Sequence, residues 1–207
     1  MIFLAIFMKY HCKKCTSLCP EFNFHRNYSP EDYIEGNPYS KIWIVGINPK
    51  KEGKDYRTKK ELRNYFSSND VHPYFNDFKK VSKKLYELLM KKDKVAHIDI
   101  IKCSTTSFPP KGIGKNLKKV ISNCLVYIKK QIEIYHPRLI ICNGTPASKV
   151  VKSIIPPSYK TSDKKTSYFN SNKGIEVILS GFIGRIDDYS KIRLGKEVDY
   201  YITKLKL

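Results

Sequence analysis

The stretch that decides the fold is CLVYIKKQIEIYHPRLIICNGTPASKVV, residues 124–151. Its first part belongs to an apolar stripe with three- and four-residue spacing, which predicts a helix over Leu117–Tyr135. The run Arg138–Cys142 is apolar without alternation and predicts a buried strand. A second helix is then expected, with Thr145 as its N-cap and Pro146 at its first position. A helix, a strand and a helix in this order are typical of an α/β fold.

Outward from this stretch, the same alternation of strands and helices continues. Further apolar runs predict strands at Lys41–Ile47, Val95–Ile101 and Ile175–Ser180. Helices are expected within residues 74–92 and from about Lys196, and a polar loop over Lys160–Lys173. The chain therefore predicts a three-layer α/β/α fold with a central four-stranded parallel sheet, in a single domain of residues 1–207.

The ends of the predicted strands carry the candidate site. Parallel α/β sheets bind ligands beyond the carboxyl ends of their strands. Four segments fall there, and they are Gly46–Asn48, Cys103–Pro110, Asn143–Thr145 and Gly181–Arg185.

The charge of the chain points to a polyanionic partner. There are 39 Lys+Arg against 19 Asp+Glu in 207 residues, a formal net charge of +20. This excess favours nucleic acid first and an anionic membrane surface second. A general compositional bias towards lysine is the alternative explanation. With 41% hydrophobic and 13% aromatic residues, long disorder is not expected.

The first ten residues, MIFLAIFMKY, are apolar but do not resemble a signal peptide. They lack a basic start and a small-residue cleavage site. They are also too short to cross a bilayer. We therefore expect a soluble, cytoplasmic protein that does not associate with a membrane, and a monomer.

Six cysteines are the second notable feature of the composition. A disulfide framework is not expected in an intracellular protein of this size. Cys12 and Cys15 form a Cys-x2-Cys pair, and Cys103 and Cys124 follow in a distant strand and helix. Four thiolates suit a [4Fe–4S] cluster or zinc, which would tie residues 1–20 to the domain. Cys19 is an alternative to Cys12, whereas Cys142, inside a strand, is expected to be simply buried.

Several segments resemble the uracil-DNA glycosylase superfamily. IVGINP (residues 44–49) is similar to its first motif, in the Gly-Ile-Asn-Pro form of the mismatch-specific branch. HPYFNDFKKV (72–81) resembles the stretch that follows in that branch. IDIIKCSTTSFPP (98–110) and residues 124–151 resemble the iron–sulfur type, family 4. The resemblance covers roughly residues 12–205 and implies a [4Fe–4S] cluster on Cys12, Cys15, Cys103 and Cys124.

The resemblance implies a monofunctional DNA glycosylase that flips uracil or another deaminated base out of DNA and hydrolyses its N-glycosidic bond. The implied catalytic residue is Asn48, which would hold the attacking water. Asp55 and Glu52 are nearby carboxylates and alternative catalytic bases, unless they are ordinary solvated loop residues. The implied substrate-binding residues are Gly46, Ile47, Tyr56, Asp99, Gly144, Ser180 and Gly181. Phe66 and Phe75 are further stacking candidates. The implied DNA-binding residues are Phe182, Arg185 and Lys191, with the run Lys111–Lys119 as a further source of phosphate contacts.

Two positions depart from the superfamily pattern. The second motif normally carries His-Pro-Ser or Asn-Pro-Ser after the last strand, and here Ser180, Gly181 and Phe182 occupy that place. Asp99 stands where family 4 has the asparagine that reads the uracil edge. An ionised carboxylate only accepts hydrogen bonds. It could still accept from the N3–H of uracil, but it would face O4 badly and would suit a base with an amino group better. The alternatives are therefore a catalytically silent iron–sulfur nucleic-acid-binding protein of the same fold, or a zinc-stabilised RNA-binding module.

Overall fold

A computed structural model describes residues 10–49, 58–68, 71–91, 93–159 and 165–207. The strands in these ranges are β1 (Tyr10–Cys12), β2 (Phe24–Arg26), β3 (Glu35–Gly36), β4 (Ile42–Gly46), β5 (Val95–Asp99), β6 (Leu139–Cys142), β7 (Ser167–Asn170) and β8 (Ile175–Ile178). The α-helices are α1 (Lys59–Arg63), α2 (Phe78–Val81), α3 (Lys83–Leu89), α4 (Leu117–Tyr135), α5 (Thr145–Ile154) and α6 (Asp188–Lys204). Short 3-10 turns lie at Pro30–Asp32, Tyr65–Ser67, Pro73–Asp77 and Gly114–Asn116.

The main sheet has six strands in the order β3-β5-β4-β6-β8-β7. Its four inner strands are parallel and are the four that the sequence predicts. The α/β class is therefore confirmed, but the count of four strands is wrong because antiparallel β3 and β7 extend the two edges. β3 has only two residues, too few for a periodic signal. β7 lies inside the polar stretch that predicted a loop over Lys160–Lys173.

Alternate residues of the inner strands pack against helices on opposite faces. On β4, Trp43 and Val45 belong to a core shared with α4 and α5. Ile42 and Ile44 belong to a second core shared with α2, α3 and α6. Both faces are thus covered, which explains why these strands are continuously apolar. The result is a three-layer arrangement with β4 at its centre.

The helix boundaries are partly as predicted. α4 has the expected bounds, whereas α5 begins one residue early because Gly144, at φ 114°, is its N-cap instead of Thr145. The helix expected within residues 74–92 is interrupted at Ser82, whose extended backbone ends α2 and whose hydroxyl accepts from Leu85 N–H to cap α3. α6 begins at Asp188, well before the expected Lys196.

The N-terminal segment packs on α4. β1 and β2 form a two-stranded antiparallel sheet. Asn116 donates to the carbonyl of Leu18 and Asn123 to that of Lys14, each at 3.4 Å. Residues 1–9 lie outside the described part, and the attachment of this segment by a metal centre stays a prediction. Among the described helices, none combines the length and apolarity needed to span a membrane.

Gly195 should be essential to the packing of α6. A Cβ there would overlap the carbonyl oxygen of Val81, so Gly195→Ala must push the helix outward. We expect a loss of about 1–3 kcal/mol in the free energy of unfolding, measured by urea denaturation. The control is Lys196→Ala, an exposed neighbour, which should change stability by less than about 0.5 kcal/mol. Equal effects of the two substitutions would contradict this packing.

Candidate active site

A cavity of about 330 Å³ opens at the carboxyl ends of β4 and β5. The residues that line it are Arg26, Tyr28, Tyr33, Glu35, Gly46, Ile47, Asn48, Pro49, Tyr65, His72, Tyr74, Phe75, His97, Asp99, Ser104, Asn143 and Phe182. About half of them come from the ends of the sheet strands and from the segments that follow them. This is the edge at which the sequence predicts a ligand.

Hydrogen bonds to the segment after β5 hold the Gly-Ile-Asn-Pro motif in place. Ile100 N–H donates to the carbonyl of Gly46, and Ile101 N–H to that of Ile47. One turn later, Thr105 N–H donates to the carbonyl of Pro49 at 3.2 Å. The parallel pairing of β4 with β5 thus continues beyond the strand ends. It gives the motif a fixed position at the cavity mouth.

The side chain of Asn48 is oriented by its amide nitrogen. Nδ2 donates to Thr105 Oγ1 at 2.8 Å and to the carbonyl of Pro49 at 2.9 Å. Thr105 Oγ1 in turn donates to the carbonyl of Ser107 at 2.7 Å, so this hydroxyl accepts from the amide. Both amide hydrogens are engaged. Among the described residues nothing donates to the carbonyl oxygen, so this is the end that can face a water or substrate.

Three buried ionisable side chains form the floor of the cavity. Glu35 Oε2 lies 2.8 Å from His97 Nδ1, and the two residues face each other in the β3–β5 register. Asp99 lies two residues further along β5, on the same face as His97. Opposite Asp99 on β4, Gly46 has no side chain; a Cβ there would overlap Asp99 Oδ1 and lie 3.2 Å from His97 Nε2. The glycine thus makes room for both polar groups.

Burial and mutual charge shift the pKa values of Asp99 and His97. Burial raises the pKa of Asp99 to about 6, partly opposed by His97 and reinforced by Glu35. Burial alone would lower the pKa of His97, but the Asp99 charge and the Glu35 hydrogen bond outweigh it and raise that pKa. The imidazole between two carboxylates is therefore stabilised as a cation. Lys102, whose pKa burial lowers to about 8, adds a second positive charge and donates to Gln131 Oε1 at 2.9 Å.

Aromatic side chains form another part of the cavity lining, next to His97, and are called the aromatic wall here. Phe182 stacks on Tyr74 with ring centroids 5.9 Å apart and planes at 10°. Asn143 Nδ2 donates to the Tyr74 hydroxyl at 2.8 Å, and Asn143 Oδ1 accepts from Ile183 N–H at 2.9 Å. Asn143 therefore fixes both rings, one through the phenol and one through the backbone beside Phe182. Phe75, which also lines the cavity, packs edge-on against the His97 ring at 5.1 Å.

The predicted substrate-binding residues divide into three groups. Gly46, Ile47 and Asp99 line the cavity, as does Asn48. Gly144, Ser180 and Gly181 are not among its lining residues, and the N–H of Gly144 donates to the carbonyl of Ser180 at 3.2 Å. Glu52, Asp55 and Tyr56 lie outside the described residues.

The predicted DNA-binding residues are arranged around the rim. Phe182 is 42% exposed, and the guanidinium of Arg185 lies 6.0 Å from its ring centroid. Lys191 is less accessible, since its side chain is 11% exposed and its ammonium lies 3.2 Å from Asp188. Of the other stacking candidates, Phe66 is buried in the core beyond the cavity lining.

The four predicted cysteine ligands come from separate elements, and the pKa of Cys103 depends on the charges of the other three. Burial, and then the charges of Cys124, Cys12 and Cys15, raises the pKa of the Cys103 thiol. Within the described ranges, no group of three His, Cys, Asp or Glu side chains has an arrangement that could hold a metal ion. The cluster therefore stays a prediction. Cys19, the alternative ligand, is buried nearby in the same core.

The remaining cysteine has an ordinary environment. Cys142 is fully buried in β6, where burial raises the pKa of its thiol to about 12 and a hydrogen bond with Ser148 opposes the rise. This is the behaviour of a small apolar residue in a core.

Comparison with known proteins assigns the fold and the cavity to a family. Residues 33–188 match the sequence model of the uracil DNA glycosylase superfamily. The chain belongs to this superfamily. No curated protein matches the chain. The matched region contains the whole cavity floor and Asn48, and it supports a DNA glycosylase in general, acting on DNA.

For a member of the uracil DNA glycosylase superfamily, the site contains residues that motif reasoning missed. They include Arg26, Glu35, His72, Tyr74 and His97, whereas Asn143 lies in a segment that the sequence already placed at the ligand-binding edge. His97 had a usable signal, since it lies two residues before Asp99 in a predicted strand and must share its face. Glu35 had no usable sequence signal, because its partner His97 is 62 residues away and β3 has only two residues.

The space at Gly46 can be tested by a double-mutant cycle. Gly46→Ala should lower the free energy of unfolding by about 1–3 kcal/mol, because the new methyl group overlaps the Asp99 carboxylate. The same substitution should be less harmful in an Asp99→Ala background, with a coupling of about 0.5–3 kcal/mol. Urea unfolding of the four proteins measures this coupling. Additive effects would show that Asp99 does not fill the space below Gly46.

Proposed function

We propose that the protein is a monofunctional DNA glycosylase that excises uracil or another deaminated base during DNA repair. The observation that carries this proposal is the orientation of Asn48 in a cavity of a uracil DNA glycosylase superfamily member. The polar groups around the cavity include an amide, carboxylates and imidazoles, which suit direct hydrolysis.

The reaction requires a flipped nucleotide and an ordered water. The base would enter the cavity, and the Asn48 carbonyl would accept a hydrogen bond from the water. The water oxygen forms a bond to C1′ of the sugar while the C1′–N bond breaks and its electron pair leaves with the base. The water gives up a proton, and Asp55 is the proposed acceptor. The transition state gathers positive charge on the sugar and negative charge on the base, so groups that stabilise the departing base accelerate the reaction.

DNA would be held by aromatic and basic groups at the rim. The stacked pair Tyr74 and Phe182 offers flat apolar surface for a base, and Tyr56 is a further proposed stacking partner. Arg185 is exposed beside Phe182 and suits a backbone phosphate. The net charge of +20 favours strong, salt-dependent association with DNA.

A second candidate function is a catalytically silent DNA-binding protein of the same fold. The observation that favours it is the segment after β8, where Phe182 lines the cavity but Ser180 and Gly181 do not. The second motif of the superfamily normally supplies a histidine there. Binding of damaged DNA without release of any base would support this candidate.

We also propose that Cys12, Cys15, Cys103 and Cys124 hold a [4Fe–4S] cluster, with zinc as the alternative. The donor set supports this, since the four thiols come from β1, the segment after it, the segment after β5, and α4. Burial first, and then the charges of neighbouring cysteines, raise the pKa values of Cys15, Cys103 and Cys124. Such a centre would link the N-terminal segment to α4. It has no step in the hydrolysis.

Asn48→Ala should remove excision while DNA binding remains. We expect a loss of about 10²–10³ in kcat, because the water loses its orienting group. The assay is release of base from single-stranded and mismatched oligonucleotides that carry uracil or hypoxanthine, with binding measured in parallel. Asn172→Ala is the matched control, since Asn172 is exposed in the turn between β7 and β8. Release of no base by the unmodified protein would exclude the proposed activity.

The cysteine proposal predicts a defined metal content. Protein purified without oxygen should contain about four iron atoms and matching sulfide per chain. Cys103→Ser should lose most of this iron, whereas Cys142→Ser should keep it because Cys142 lies inside β6. Stoichiometric zinc in the unmodified protein would show that the centre is the alternative zinc site. Equal loss of iron in the two variants would contradict the assigned ligands.

A further inference from the structure

We propose, on the basis of the glycosylase function above, that Asp99 and His97 together read the lactam edge of the flipped base. A lactam edge is a ring N–H beside a carbonyl, as in uracil and hypoxanthine. Asp99 would accept from the ring N–H, and His97 Nε2–H would donate to the carbonyl oxygen. Two side chains would thus present the acceptor and donor that a single amide presents.

The backbone places the two groups side by side. They are at alternate positions of β5 and therefore project from the same face. Asp99 is paired with Gly46 on β4, where a Cβ would overlap Asp99 Oδ1 and would stand 3.2 Å from His97 Nε2. Both atoms therefore lie close to the same point beside Gly46. All three residues line the cavity, so a base edge can approach both polar atoms at once.

Glu35 decides which nitrogen of His97 faces the base. Its carboxylate holds Nδ1 at 2.8 Å, which leaves Nε2 for the side of Gly46 and Asp99. With carboxylates on both sides, the imidazole carries a proton on each nitrogen, and both nitrogens are then donors. Glu35 is a positioning residue, because it acts on the base through His97.

The charge environment of His97 includes more than its two carboxylates. The other titratable or charged groups near it or around the cavity are Lys102 after β5, Arg26 on β2, and Tyr28, Tyr33, Tyr65, His72 and Tyr74. Lys102 opposes the protonation of His97, whereas Asp99 and Glu35 favour it. Burial and the Asp99 charge keep the Tyr74 phenol neutral, so that ring adds no competing charge.

Asp99 and His97 would distinguish deaminated bases from cytosine and adenine by the order of hydrogen-bond donor and acceptor on the base edge. Cytosine and adenine carry an amino donor beside a bare ring nitrogen, so the ring lone pair would face the Asp99 carboxylate. Deamination reverses the pattern and produces the N–H and carbonyl that the two residues suit. The hydrogen bond from a cationic His97 also strengthens as negative charge develops on the departing base. It would supply part of the stabilisation that the second motif normally gives.

The pattern is tested with oligonucleotides that carry one uracil, one N3-methyluracil or one cytosine. The methyl group removes the N–H that Asp99 would accept and leaves both carbonyls in place. We expect uracil to be released about tenfold or more faster than N3-methyluracil, and cytosine to be retained. Equal release of uracil and N3-methyluracil would overturn the inference while leaving the glycosylase function intact.

The role of His97 is tested by the pH dependence of kcat/KM for uracil release. Activity should rise as Asp99 ionises, near its raised pKa of about 6, and should fall at higher pH as His97 loses its second proton. Glu35→Gln removes a charge that stabilises the imidazolium, so this fall should move to lower pH. His136→Asn, a change at an exposed histidine that caps α4, should leave the profile unchanged. A profile that does not move in Glu35→Gln contradicts the role of the pair.

If the protein releases no base, the role of Asp99 and His97 is tested by the binding of the same oligonucleotides. That result would count against the glycosylase function alone. Fluorescence anisotropy should still show the uracil oligonucleotide bound about tenfold or more tightly than the N3-methyluracil one. His97→Gln should reduce this preference without changing affinity for undamaged DNA. Equal affinities for the two oligonucleotides would then overturn the assignment of Asp99 and His97 as the reader.

Discussion

The site depends on a cluster of buried ionisable side chains next to Gly46, the last residue of β4, which has no side chain. Glu35, His97 and Asp99 lie where an unpaired charge would be strongly destabilising. They tolerate burial because the imidazole stands between two carboxylates, and Lys102 adds positive charge from the residues after β5. Gly46 then keeps this cluster open to a ligand. A larger residue at position 46 would overlap the Asp99 carboxylate.

The same cluster explains an edge strand that otherwise looks dispensable. β3 contributes two residues, and one of them is Glu35. Its neighbour Gly36 has φ +82° and lies so close to the carbonyl of Val95 that a Cβ would be 2.6 Å from that oxygen. A glycine is therefore needed to bring the short strand against β5. The edge strand matters less as a ladder of hydrogen bonds than as the support that carries a carboxylate to His97.

The sequence was sufficient for features that depend on local pattern. Continuous apolar runs located the four parallel strands, and the motif at Gly46 to Asn48 located the cavity mouth. It was insufficient where contacts join distant segments. Asn143 meets Tyr74 across 69 residues, and neither residue is distinctive in its own segment. Likewise β7, with its mixed burial, had no pattern to separate it from the polar stretch around it.

The loop after β8 shows how the site differs from the superfamily pattern. Asn143 accepts from Ile183 N–H and holds the loop so that Phe182 lies on Tyr74. An aromatic ring therefore stands where the second motif normally provides a polar group. This wall can bind the flat face of a base but cannot stabilise negative charge on it. In the proposed recognition of the base, that task falls to the imidazolium of His97, beside Asp99 and Gly46, while Tyr74 and Phe182 bind the flat face of the base.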